Sequence, residues 1–134
     1  MSVALSLLAF YHSFVFTITI IERIPSAMPH YQVSLFWTYK AIAAGRNDLK
    51  AEIFWNIVLF IPIGILIMIL LSKRFRWMGI VIGFLLSAGI EVCQLVLCRG
   101  LFEFDDMIHN TLGTCIGVLV YLLACCVSKK ISSR

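Results

Sequence analysis

The chain has 134 residues, of which 61% are apolar and 13% charged, and its mean hydropathy is +0.99; an average soluble domain is roughly 45–50% apolar. A water-soluble globule of this size has nowhere to hide such a surface. The scarcity of charge and the absence of repeats exclude a disordered chain, a nucleic-acid-binding tail, a collagen and a disulfide scaffold. The composition predicts an all-α polytopic membrane protein in a single small domain, with no nucleic acid among its partners.

Apolar runs near the ~20 residues that cross a hydrocarbon core of about 30 Å fall at 3–21, 53–71, 77–97 and 107–127. They predict four transmembrane helices in a compact bundle. The first is read as a span and not as a signal peptide, because no Lys or Arg precedes its apolar core, it runs long, and no small-residue cleavage site follows. His12, in its middle, is expected to be a hydrogen-bonded packing residue.

Residues 22–52 form the long loop, with Pro25, Pro29 and the stretch Leu35-Phe36-Trp37-Thr38-Tyr39, whose Trp and Tyr suit a membrane interface. Asn47 or Asp48 is expected to cap the second helix, which then starts before it enters lipid. Lys73, Arg74 and Arg76 fill the turn between spans two and three, and Lys129, Lys130 and Arg134 follow span four. Basic short loops stay inside, so the reading is a multi-pass protein of the cell membrane with both termini cytoplasmic and the 22–52 and 98–106 loops outside. The eleven cations divide only six to five in favour of that orientation. Cys93, Cys98, Cys115, Cys125 and Cys126 lack CxxC pairing and read as small apolar residues.

An ionisable residue inside a span costs about 2.5–3.5 kcal/mol on insertion scales and is a functional-site hypothesis by default. Glu91 is one, roughly 9 Å deep at about 1.5 Å per residue. Positions three and four apart share a helix face, so Ser87, Glu91, Gln94 and Cys98 form a stripe continued inward by Gly79 and Gly83. In the fourth span Asp106, Asn110, Gly113 and Gly117 repeat the design. Both stripes carry GxxxG spacing, which allows close backbone approach, and they are expected to meet. Pro62 and Gly64 are expected to bend the second span.

Asn56, Glu91, Gln94, Arg99, Asp105, Asp106 and Asn110 are thus expected to line a polar pocket at the outer face, with Arg99 its one cation. Glu91, Asp105 and Asp106 are the candidate catalytic acids; Asn56, Gln94, Arg99 and Asn110 are candidate binding residues; Pro62, Gly64, Gly79, Gly83, Gly113 and Gly117 are structural. A blander reading pairs Glu91 with Arg99 or Asn110 and makes Asp105 the cap of the fourth helix. Asp106 and His109 at i and i+3 are a weak metal pair, and neither a metal nor a cofactor is expected. No nucleophile motif is present.

Asn56-Ile-Val-Leu-Phe-Ile-Pro-Ile-Gly64, Glu91-Val-Cys-Gln94 and Arg99-Gly-Leu-Phe-Glu-Phe-Asp-Asp-Met-Ile-His-Asn-Thr-Leu-Gly113, in that order and spacing, resemble the VanZ-like family over about residues 50–125. The resemblance points to Asn56, Pro62, Gly64, Glu91, Gln94, Arg99, Asp105, Asp106, Asn110, Thr111 and Gly113. Glu103 stands where the family has Asp, which implies a loosely constrained side chain. The family comprises small membrane proteins of Gram-positive bacteria whose founding member is associated with low-level teicoplanin resistance. The resemblance implies action at the outer leaflet on that lipoglycopeptide, through its acyl chain, or on a lipid-linked cell-wall precursor. An intramembrane enzyme acting on a lipid headgroup, or an oligomeric transporter or binding subunit built as a homo-oligomer, are the alternatives.

Overall fold

The structure, a computed structural model, describes residues 2–132; Arg134, counted above among the basic residues after the last span, lies outside the described residues. Helix α1 (Ser2–Phe16) continues through a π-helical turn (Thr17–Ile21). It is followed by strand β1 (His30–Gln32), the short helix α2 (Trp37–Ala43), α3 (Leu49–Leu70), a 3₁₀ turn (Lys73–Phe75), α4 (Met78–Val96), strand β2 (Leu101–Glu103) and α5 (Phe104–Ser132). Four segments, Val3–Ile21, Leu49–Leu70, Met78–Val96 and Phe104–Ser132, are long and apolar enough to cross a membrane. They match the expected spans, with α3 starting four residues early and α5 extending at both ends.

Helix α5 lies between α3 and α4 because small residues let it approach both. A Cβ added at Gly113 would collide with the carbonyl oxygen of Ile57, one at Gly117 with that of Ile61, and one at Gly64 with that of Thr114. These glycines bring the α3 and α5 backbones together, which supplies packing energy where lipid is as apolar as Leu. The stripes of α4 and α5 do meet, at Gly83 against the Thr114 side chain and at Ser87, whose Oγ accepts from Asn110 Nδ2 at 2.9 Å. Gly113 and Gly117, however, serve span two, not span three. Helix α1 packs on α3, where Tyr11 donates to the Leu59 carbonyl at 3.1 Å, and Val15, Ile20, Phe60, Ile63, Ile67 and Ile90 form the buried core. Outward side chains such as Phe10 and Leu123 remain exposed, as faces turned to lipid do.

Helix α3 runs unbroken from Leu49 to Leu70 through Pro62, which has no N–H to give Val58. One local expectation is corrected. No side chain caps α3 at Asp48, because its carboxylate is taken by the Arg46 guanidinium at 2.7 Å.

The feature with no sequence signal is a cover of backbone pairing over one end of the bundle. Strands β1 and β2 run parallel, with His30 opposite Leu101 and Gln32 opposite Glu103, and Pro25 bridges Arg99. Each strand has only three residues, too few to display alternation. At the opposite end Arg76 lies over the Tyr121 ring, 5.4 Å from its centroid, tying the basic turn to α5.

Candidate functional site

A cavity of about 720 Å³ opens beneath this cover, walled by the π-helical end of α1, the first turns of α3, the last turn of α4, β2 and the start of α5. Phe14, Ile18, Trp55 and Leu59 make an apolar side; Asn56, Gln94, Glu103 and Asp106 make a polar side; Arg23, Arg46 and Glu52 stand at it as well. An amphipathic wall of this kind takes a ligand that is itself part apolar and part charged.

Gln94 and Glu103 are each set by a specific contact. Gln94 is held by donation from its Nε2 to the Thr19 carbonyl at 3.0 Å, inside the π turn, and Gly100, at φ +103°, leaves room for the Gln94 side chain with no Cβ of its own. Arg99 does not reach the cavity. Its Nη1 donates to the carbonyls of Ile21 at 2.6 Å and Arg23 at 3.1 Å, a cation on the free carbonyls of a helix end. That clamp fixes where α1 stops and leaves the Arg23 side chain at the cavity wall, where it makes no hydrogen bond or ion pair among the described residues. The cations of the site are therefore Arg23 and Arg46, not Arg99. Both sit in the long loop, and no periodicity assigned them.

The acids also divide differently from expectation. Glu91 is 1% exposed and accepts from the Glu103 backbone N–H at 2.9 Å; it pairs with neither Arg99 nor Asn110. It is not among the residues that line the cavity and instead holds β2 in place, an internal acceptor for a strand that would otherwise present a bare N–H. Asp105 is inside the first turn of α5 and caps a different helix. Its Oδ1 accepts from the Phe36 N–H at 2.7 Å and its Oδ2 from the Thr38 N–H at 3.0 Å. Phe36, at φ 59°, is the residue from which α2 starts, so one carboxylate satisfies two free donors of that helix and meets its positive end. Asp106 faces the cavity. Asn110 is buried deeper, on Ser87.

Glu103, expected to be loosely constrained, is 7% exposed, and its Oε2 accepts from Trp37 Nε1 at 3.0 Å. Burial, with the neighbouring Asp106 carboxylate second, pushes its carboxyl up to about 7. The aromatic stretch of the loop thus folds down as α2 onto the site: Trp37 on Glu103, and Tyr39 with its hydroxyl 2.9 Å from His109 Nε2. His109 Nδ1 is 3.9 Å from Asp106 Oδ1. Among the described residues no group of three His, Cys, Asp or Glu could hold a metal ion. Among the described residues His12 Nδ1 has no partner, and the hydrogen bond expected there is not seen.

The elements that build this cavity lie within residues 14–106, and a family model, VanZ/LLP1, matches residues 2–125, nearly the whole chain. The chain belongs to the VanZ/LLP1 family. No curated protein and no solved structure matches it. For this VanZ/LLP1 protein the matched stretch includes the first span and the long loop as well as the three motifs, in keeping with a cavity that needs both: Arg23, Trp37 and Arg46 come from the former, Asn56, Gln94 and Asp106 from the latter. The sequence reading found the second set by helical spacing and missed the first, whose only signal was the cluster of aromatic and basic residues in the loop.

Proposed function

We propose that this VanZ-like membrane protein lowers susceptibility to teicoplanin by engaging a lipid-linked cell-wall precursor at the outer leaflet, with its cavity around the membrane-proximal part of that molecule. The observation that carries the proposal is the single cavity wall that joins Phe14, Trp55 and Leu59 to Arg23, Arg46 and Asp106. Apolar residues suit a chain still in the bilayer, and guanidinium groups suit a phosphate at its boundary. The orientation, with both termini cytoplasmic, is supported by Lys73, Arg74 and Arg76 at the end opposite the cavity. Teicoplanin carries an acyl chain that enters the bilayer and vancomycin does not, so the effect is selective.

The test is susceptibility to both drugs in a host expressing the wild type, Arg23→Gln or Asp106→Asn, with membrane abundance measured for each. Selective protection against teicoplanin by the wild type, lost in variants of equal abundance, is the expected result. No protection by the wild type refutes the proposal.

A second reading is supported by Glu103, which titrates near 7 in the same cavity as Asp106. A carboxyl raised in this way, with a second carboxyl in the same cavity, can serve in general acid–base chemistry on a lipid headgroup. Glu103 takes the place that the sequence assigned to Glu91. On this reading Glu103→Gln abolishes a turnover of the lipid headgroup; on the first reading there is no turnover to lose.

A further inference from the structure

Three observations at the cavity concern what it binds. Gln94 is 5% exposed, and while its Nε2 is engaged by Thr19, its Oε1 has no partner among the described residues. A buried acceptor without a donor is rare and costly, and here it stands in a wall that also carries the carboxyl groups of Glu52, Glu103 and Asp106. The Arg23 side chain makes no hydrogen bond or ion pair among the described residues, whereas Arg46 has only part of its guanidinium on Asp48. Two indoles, Trp37 and Trp55, line the same cavity.

We propose that the cavity takes a phosphate-linked sugar carried on a lipid. Arg23 and Arg46 hold the phosphate. The sugar's hydroxyls donate to Gln94 Oε1, Glu103 and Asp106, and the indoles cover its apolar face. A primary ammonium would use the same acceptors and could lie over an indole face, and the phosphatidylethanolamine titration below separates it from the sugar. The inference rests on the cavity being a lipid-headgroup site, and it goes further in placing recognition on the phosphate and the first sugar. A volume of about 720 Å³ suits a drug-sized group, so anything attached beyond that sugar projects into water and is not read.

The experiment is native mass spectrometry of the full chain in detergent. The titrants are a polyprenyl diphosphate bearing N-acetylglucosamine, the same lipid without the sugar, phosphatidylethanolamine, soluble N-acetylglucosamine 1-phosphate, and the polyprenyl precursor with its peptide. The sugar-bearing lipid is expected to bind about tenfold more tightly than each of the next three, and the peptide to add nothing. Arg23→Gln, an exposed substitution, weakens both polyprenyl lipids about tenfold, whereas Asp106→Asn or Gln94→Leu removes the preference for the sugar. Equal binding of the sugar-free lipid, of phosphatidylethanolamine or of the soluble sugar phosphate overturns the inference. Binding that requires the peptide overturns it while leaving the resistance proposal intact. The expected binding with unchanged teicoplanin susceptibility does the reverse.

Discussion

Asp105→Ala removes the acceptor of two backbone donors at once. Phe36 N–H at 2.7 Å and Thr38 N–H at 3.0 Å both end on this carboxylate, which is 1% exposed. Hydrogen bonds to a charged group are worth about 1.5–3 kcal/mol each, so the substitution costs α2 about 3–6 kcal/mol of its attachment. Opening of the segment then rises by about two to four orders of magnitude, and hydrogen exchange at residues 36–40 accelerates to match. Asp105→Asn retains one acceptor oxygen and loses about half as much. Asp106→Asn, one residue on, leaves exchange in this segment as in the wild type. Mass spectrometry of exchange on the detergent-solubilised protein reads all three. Wild-type protection of residues 36–40 in Asp105→Ala would mean that α2 is held by Trp37 and Tyr39 alone, and the capping argument would fall.

Gly113→Ala puts a Cβ onto the Ile57 carbonyl, where backbone must give way; overpacking of this kind costs about 1–3 kcal/mol. Gly89→Ala meets nothing within 4 Å and gains up to about 1 kcal/mol of helix propensity, so thermal melts in detergent separate the pair in opposite directions. Glu103, raised from the ordinary 4.5 to about 7 by burial, binds its proton more tightly folded than unfolded. Its contribution to stability is therefore full below about 4.5 and is lost as pH rises through about 7. Glu103→Gln flattens that decline in a series of melts from pH 4 to 8; an unchanged slope rules the assignment out. Tyr39→Phe leaves His109 Nε2 buried without the hydroxyl now 2.9 Å away, a loss of about 1–3 kcal/mol visible in the same melts.

The helices were legible because a span needs a run of apolar residues whatever its neighbours, and because small and polar residues at three- and four-residue spacing mark a buried face. Gly79, Gly83, Ser87, Glu91 and Gln94 are all buried on α4, as that spacing requires. Partnership was not legible. Spacing puts Gly113 and Gly117 on a face but does not say that α3, and not α4, comes against it. Asp105 sits where a cap of its own helix belongs, and only the return of the loop some seventy residues upstream gives it another. Arg99 lies beside the acids in sequence yet is consumed by the carbonyls of Ile21 and Arg23. The strands escaped notice since β1 and β2 are three-residue pieces whose pairing exists only after the helices have brought them together.

That pairing has a consequence for how the chain is made. His30 leaves the ribosome long before Leu101, its partner in register, and at about 5–20 residues per second the interval is on the order of 4–14 s. Throughout it the loop between the first two spans has no strand to join, no Asp105 to receive its N–H groups and no Glu103 for Trp37. It waits as an extended, aromatic-rich segment at the membrane surface. Delivery of the last helix closes it, so a chain arrested before α5 leaves residues 22–52 without the strand pairing and the Asp105 and Glu103 contacts that fix them in the finished protein.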